Sequence, residues 1–326
     1  MQSQDIAVSN APIEPVGEDS SVSLNGFDIP RRRISLRRLM PLGPRYWGFM
    51  SRTRNVKPDY RIKKSRSRPP QVMNEEQRIA VCKTSLDQVY TMLRTSPQHW
   101  RDYVNLARTI ISHLESITFM QQENRTQEQV WMIAGLQRLA FADAESGAVN
   151  DIAAWCSRQW LVILQRDAQN LAALRGIGQA WLSRAQRTLA RIHQADGASS
   201  SSGGSALSQR SFSSVLEEDV ANIATAEAEI RAGTAVCVEA RGYLQPATDY
   251  LERAVAAATE QRAVSGDLLS VTAEAYMSLG SASSPRINGQ CFSRALQLLQ
   301  AAKGIAGYNL SPSLRQYLED YGKLLE

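Results

Sequence analysis

LAALRGIGQAWL, spanning Leu171–Leu182, follows directly on WLVILQRDAQN at residues 160–170. The first run ends an amphipathic helix, and a tight turn leads into a second helix built around small residues. Small side chains let a neighbouring helix approach closely, so the joint reads as one hinge of a stacked helical repeat.

The same periodicity extends outward. After Asn74, apolar residues recur at 3–4 spacings almost throughout, while alternating, turn-bounded strand patterns are hard to find. The expected fold is all-α. No apolar run approaches the roughly 20 residues of a membrane span, and the first thirty residues carry acids where a secretory signal would be basic and then apolar. These features predict an intracellular protein, cytoplasmic or nuclear, with a mitochondrial presequence the weaker option. Cys82, Cys156, Cys237 and Cys291 stand singly inside helical patterns. Reduced, packed thiols fit this spacing better than a disulfide pair.

The net charge of +5 is unevenly distributed. Fourteen Lys and Arg against Asp59 alone give +13 over residues 31–68, and therefore −8 over the rest of the chain. Residues 1–72 are rich in Pro, Ser and charge and are expected to form a disordered basic arm. Its clusters are Arg31, Arg32, Arg33, Arg37 and Arg38, then Lys63, Lys64, Arg66 and Arg68, separated by Tyr46, Trp47 and Phe49. Such a polycation could contact phosphates, serve as a nuclear import signal, lie on an anionic membrane surface, or remain a solvated tail. Ser35 follows Arg32-Arg33-Ile34 in a basophilic-kinase pattern, so phosphorylation there would weaken an anion contact. The folded domain is expected over 73–326, with a flexible Gly/Ser loop at 194–213.

Helix starts are marked by capping-box spacings at Asn74/Gln77, Thr126/Gln129 and Ser214/Glu217, and by Ser311 before Pro312. With the periodicity they predict helices near 74–94, 99–120, 127–143, 150–166, 170–193, 214–240, 245–263, 267–279, 290–303 and 312–325.

Leu269, Ala273, Tyr276 and Gly280 give large, small, aromatic and turn residues, and Ala295, Leu299 and Ala302 continue small-large-small. Ala235, Gly242, Ala247, Leu251 and Ala254 repeat the series, with Gly242 at the turn; earlier, Trp160 and Ala168 close one unit and Leu174, Gly178, Trp181 and Ala190 open the next. This pattern resembles the tetratricopeptide repeat, a helix-turn-helix unit of about 34 residues. The chain departs from the family at Ser281–Gln290, at the Gly/Ser loop, at Ala168 where proline is usual, and over 74–143, where only periodicity agrees. The resemblance implies an α-solenoid of antiparallel helix pairs; a helical bundle with Ala-rich faces is the alternative. Leu314, Tyr317, Leu318 and Tyr321 would form one apolar face of a terminal capping helix.

Nothing in the residues marks an enzyme or calls for a cofactor or metal. His99, His113 and His193 lack ligand-spaced neighbours, Gly176 and Gly178 follow no strand, and Glu217, Glu218 and Asp219 fit a first helical turn. By the resemblance, first helices of each pair line a concave surface, making Arg175, Gln179, Glu239, Glu274 and Met277 the partner-binding candidates. Chaperone-binding members of the family hold a carboxylate tail with Lys and Asn, which residues 268–277 lack. The expected role is therefore a non-catalytic protein–protein scaffold for a peptide or helical partner. The competing reading is a nucleic-acid-associated assembly factor that binds through residues 31–68.

Overall fold

The computed structural model describes residues 73–143, 146–200, 222 and 225–325. The basic arm with Ser35, the Ser214/Glu217 cap and the 201–213 part of the Gly/Ser loop lie outside the described residues.

The described chain is helical, with no strand among the described residues. Its helices are α1 (Glu75–Thr95), α2 (Val104–Glu115), α3 (Thr126–Ala140), α4 (Asn150–Arg166), α5 (Leu171–Ser200), α6 (Ala235–Glu260), α7 (Gly266–Ser281), α8 (Pro285–Lys303) and α9 (Pro312–Tyr321). A helical stretch at 225–232 precedes α6. The Asn74 capping box closes in both directions: Gln77 N–H donates to Asn74 Oδ1 at 2.8 Å, and Asn74 N–H donates to Gln77 Oε1 at 3.1 Å. Ser311 caps α9 through the Leu314 N–H, with Pro312 in the first turn.

Several expected boundaries move. The stretch expected as one helix from 99 to 120 divides into a 3-10 turn, Pro97–Tyr103, and α2, followed by short 3-10 turns at Phe119–Gln121 and Glu123–Arg125. Thr126 and Gln129 make no capping box. Gln129 is buried and donates through Nε2 to the Phe119 and Gln122 carbonyls at 2.7 and 2.6 Å, so it ties down the connection before α3. Helix α5 runs past residue 193 to Ser200, into the expected loop. Gly242 is no turn, because α6 continues through it and through Pro246. Ala240, Leu244, Ala247, Leu251 and Ala254 of α6 are all buried, and that burial outweighs the local cost of the two helix breakers. Gly280 likewise lies inside α7, and only Ala282–Ser284 separates α7 from α8.

Sequential helices pack on one another and are cross-linked at matching levels. Cys82 and Arg78 of α1 reach the Ile110 carbonyl and Ser116 beside α2. In the α5/α6 pair, Arg191 meets Glu239 at one end and Gln169 meets Glu260 at the other, so the two helices run antiparallel. Beyond these neighbours, α1 also packs on α3, α3 on α5, and α5 on α7. The apolar interior falls into three clusters in chain order, spanning α1–α5, α5–α8 and α7–α9. Leu164, Trp181 and Tyr250 touch both the first and the second.

Close approach explains the small residues of the opening stretch. A Cβ on Gly178 would lie 2.6 Å from Leu251 Cγ and 3.2 Å from the Ala247 carbonyl oxygen, and one on Gly176 would lie 2.6 Å from the Trp160 ring. Polar pairing fixes the same joint. Trp160 Nε1–H donates to Gln137 Oε1 at 2.7 Å, and Gln137 Nε2–H donates to the Gly176 carbonyl at 2.9 Å. This buried relay bonds α3, α4 and α5 together.

Candidate partner-binding surface

Helices α1, α3, α5 and α7 carry a row of aromatic and charged groups. On α3, Trp131, Gly135 and Arg138 fall on one face by their spacing of four and three residues. Tyr90 of α1 lies against that face. Its ring stands 5.3 Å from the Trp131 ring, its hydroxyl donates to the Trp131 carbonyl at 2.9 Å, and Arg138 stacks over it at 5.4 Å. Gly135 makes room for the ring, since a Cβ there would come within 2.7 Å of it. Burial pushes the Tyr90 hydroxyl up to about 12, partly offset by the Arg138 charge.

Arg175 of α5 continues the row. It is partly buried within the helix. Burial pulls its guanidinium below the ordinary arginine range; Asp267 and Tyr308 act against that shift, and Arg138 adds to it. At the far end, Tyr308 packs on Gly266 and donates to Ser270 Oγ at 2.9 Å. Burial, followed by the Asp267 and Glu274 charges, raises its hydroxyl. Arg175 thus lies within electrostatic reach of cationic Arg138 and anionic Asp267, and Tyr308 within reach of Asp267 and Glu274.

Of the residues picked from sequence, Arg175 and Glu274 belong to this row. Gln179 lies one helical turn after Arg175, half-buried, and Met277 is half-buried against the third core cluster. Glu239 does not join them. It sits exposed on α6, 3.4 Å from Arg191, because α6 begins at Ala235 and packs on α5. Tyr90, Arg138, Asp267 and Tyr308 were not picked. The 131/135/138 spacing could have drawn attention to Arg138, but nothing local links Tyr308 to α5.

His99 lies in an open recess of about 570 Å³ with Asp87 and Asp102. Among the described residues no cluster of His, Cys, Asp and Glu is arranged to hold a metal. All four cysteines are buried and unpaired, and burial raises the thiols of Cys82, Cys156 and Cys291. No described helix is long and apolar enough to cross a membrane. Comparison with protein-family models, curated proteins and solved structures finds no match to this chain.

Proposed function

We propose that the chain is a non-catalytic scaffold, a tetratricopeptide-like solenoid that binds a peptide or helical partner along the exposed side of α1, α3, α5 and α7. The supporting observation is the order of packing. Each helix packs on the next in chain order, α1 also meets α3, α3 meets α5 and α5 meets α7, and α9 follows α8. On the tetratricopeptide-like reading the pairs are α1/α2, α3/α4, α5/α6 and α7/α8, one helix of each pair lines a single surface, and α9 is the cap. On this reading Arg175 meets an acidic group of the partner, while Asp267 and Glu274 favour a basic one farther along.

Affinity purification with the full chain, with a chain lacking residues 1–72, and with full-length Arg175→Glu tests the proposal. Partners retained without the arm and lost on charge reversal at Arg175 would support it. Partners indifferent to Arg175 but lost with the arm would defeat it.

The second reading rests on the +13 of residues 31–68. In it the arm binds nucleic acid and the helices assemble the complex. RNA or DNA affinity that falls steeply with salt and vanishes on deleting 31–68 would favour it.

A further inference from the structure

Helix α6 brings three features that weaken a helix close together. Gly242 is exposed, with open space where a side chain would be, and Pro246 has no N–H to offer the Gly242 carbonyl four residues before it. The Thr248 hydroxyl donates to the Leu244 and Gln245 carbonyls at 3.2 and 2.9 Å, a back-bond of the kind that bends helices. Proline and small residues are where helices bend sharply.

The two sides of this break are held unequally. From residue 225 to 245 the buried side chains are Ala232, Cys237, Ala240 and Leu244, three of them small, and Ile230 and Val238 are 74 and 52 % exposed. Over 247–258, half of the residues are buried, among them Leu251 against Gly178, and Arg294 of α8 grips Glu252 through two bonds of 2.7 and 2.9 Å. The upstream side is fastened mainly by Arg241, which donates to the Ala232 carbonyl and to the Ala282 carbonyl at the end of α7. The surface pair Arg191/Glu239 and the Trp181 ring, 6.3 Å from that of Tyr243, complete its contacts with α5. Segments with so few buried apolar contacts open at a lower free energy than the whole fold.

We infer that α6 is hinged at Gly242–Pro246, and that residues 225–241 swing away from the end of α5 as a flap fastened by Arg241 while residues 247–260 stay in place. Cys237 and Ala240 of the flap share an apolar cluster with Leu189 and Ile192 of α5, so opening uncovers these side chains together. Gly178 meets Leu251 and Ala247 on the downstream half, so Arg175 and Gln179 beside it stay put. The motion is therefore separate from partner binding at those residues.

Thiol labelling reads this motion. Cys82, Cys156 and Cys237 are 1, 0 and 2 % exposed, so static accessibility does not separate them. The full chain is treated with N-ethylmaleimide under native conditions, and each cysteine is followed by mass spectrometry of its peptide. Cys237 is expected to react about tenfold or more faster than Cys82 and Cys156, with a rate that rises less steeply with urea than unfolding followed by circular dichroism. Pro246→Ala should slow Cys237 about tenfold or more and Gly242→Ala about fivefold, because each favours the unbroken helix. Arg241→Gln should speed it about tenfold. Should Arg241→Gln unfold the chain, the two α6 variants are read alone. Cys237 reacting no faster than the other two, a urea slope equal to that of global unfolding, a rate unchanged in the α6 variants, or no acceleration in folded Arg241→Gln would each overturn the inference.

Discussion

Replacing Gly178 with Ala tests the close contact on which the α5/α6 pair depends. Alanine is the better helix former by about 1 kcal/mol, so an unhindered substitution would stabilise the chain. At this position the new methyl would sit 2.6 Å from Leu251 Cγ, 3.0 Å from Leu251 Cδ2 and 3.2 Å from the Ala247 carbonyl oxygen. Carbon–carbon contacts are comfortable near 3.5–4.0 Å. Leu251 and Ala247 are fully buried, so neither can swing aside, and relief requires the helices to part. Overpacking of this kind costs about 1–3 kcal/mol, which outweighs the propensity gain and leaves a net loss of about 1 kcal/mol. Gly242 on α6 is the matched control, because a methyl placed there would have nothing within 4 Å. Gly242→Ala should stabilise by about 0.5–1 kcal/mol. For a domain of this size, the resulting gap of about 2 kcal/mol corresponds to about 4–8 °C in Tm. Circular dichroism melts of both variants, with urea unfolding as a second measure, would resolve it. If Gly178→Ala melts as high as Gly242→Ala, the close packing of α5 on α6 is wrong. Adding Leu251→Ala should remove much of the Gly178→Ala penalty, because the two side chains compete for the same space.

Other outcomes follow from the polar and titrating groups. Gln137→Leu strands the Trp160 N–H and the Gly176 carbonyl, and should cost about 2–5 kcal/mol in urea unfolding; a neutral result would refute the relay. Arg108 hydrogen-bonds Asp151 and holds its carboxyl below the usual range. That contribution is present above the unfolded carboxylate value of about 4 and disappears as pH falls through the lower folded value. Arg108→Ala should therefore make Tm fall less steeply on acidification, by a small amount because the pair is exposed. Tyr90 and Tyr276 are both pushed up to about 12, chiefly by burial. The stability they favour is present below about pH 10 and is lost as pH rises through 12; ultraviolet titration in which every tyrosine ionises by about pH 11 would contradict this.

Much of the helical content was legible because helix signals are local. Asn74 with Gln77, Ser311 with Pro312, and the helix at 150–166 appear as the sequence implies, since caps and apolar spacing act within a few residues of themselves. Gly242 and Gln129 show the limit. Each carries a local signal, one for a turn and one for a cap, and each is overruled by the way its surroundings pack. Gly242 is carried inside α6 because the helix face around it is buried, and Gln129 turns to backbone carbonyls that it reaches only after the chain folds over.

For the candidate surface, spacing within helices singled out Arg175, Glu274 and Glu239; the structure places Glu239 on α6 beside Arg191, away from the other two. What the sequence determined by itself was the helical period, several of the caps, and the small residues at which helices could meet. Which helices met there, and therefore that Tyr90 of α1 lies between Trp131 and Arg138 of α3, was decided only by tertiary packing. The reason is that an apolar face fixes how much surface must be buried, but shape and charge fit between distant side chains choose the surface that buries it.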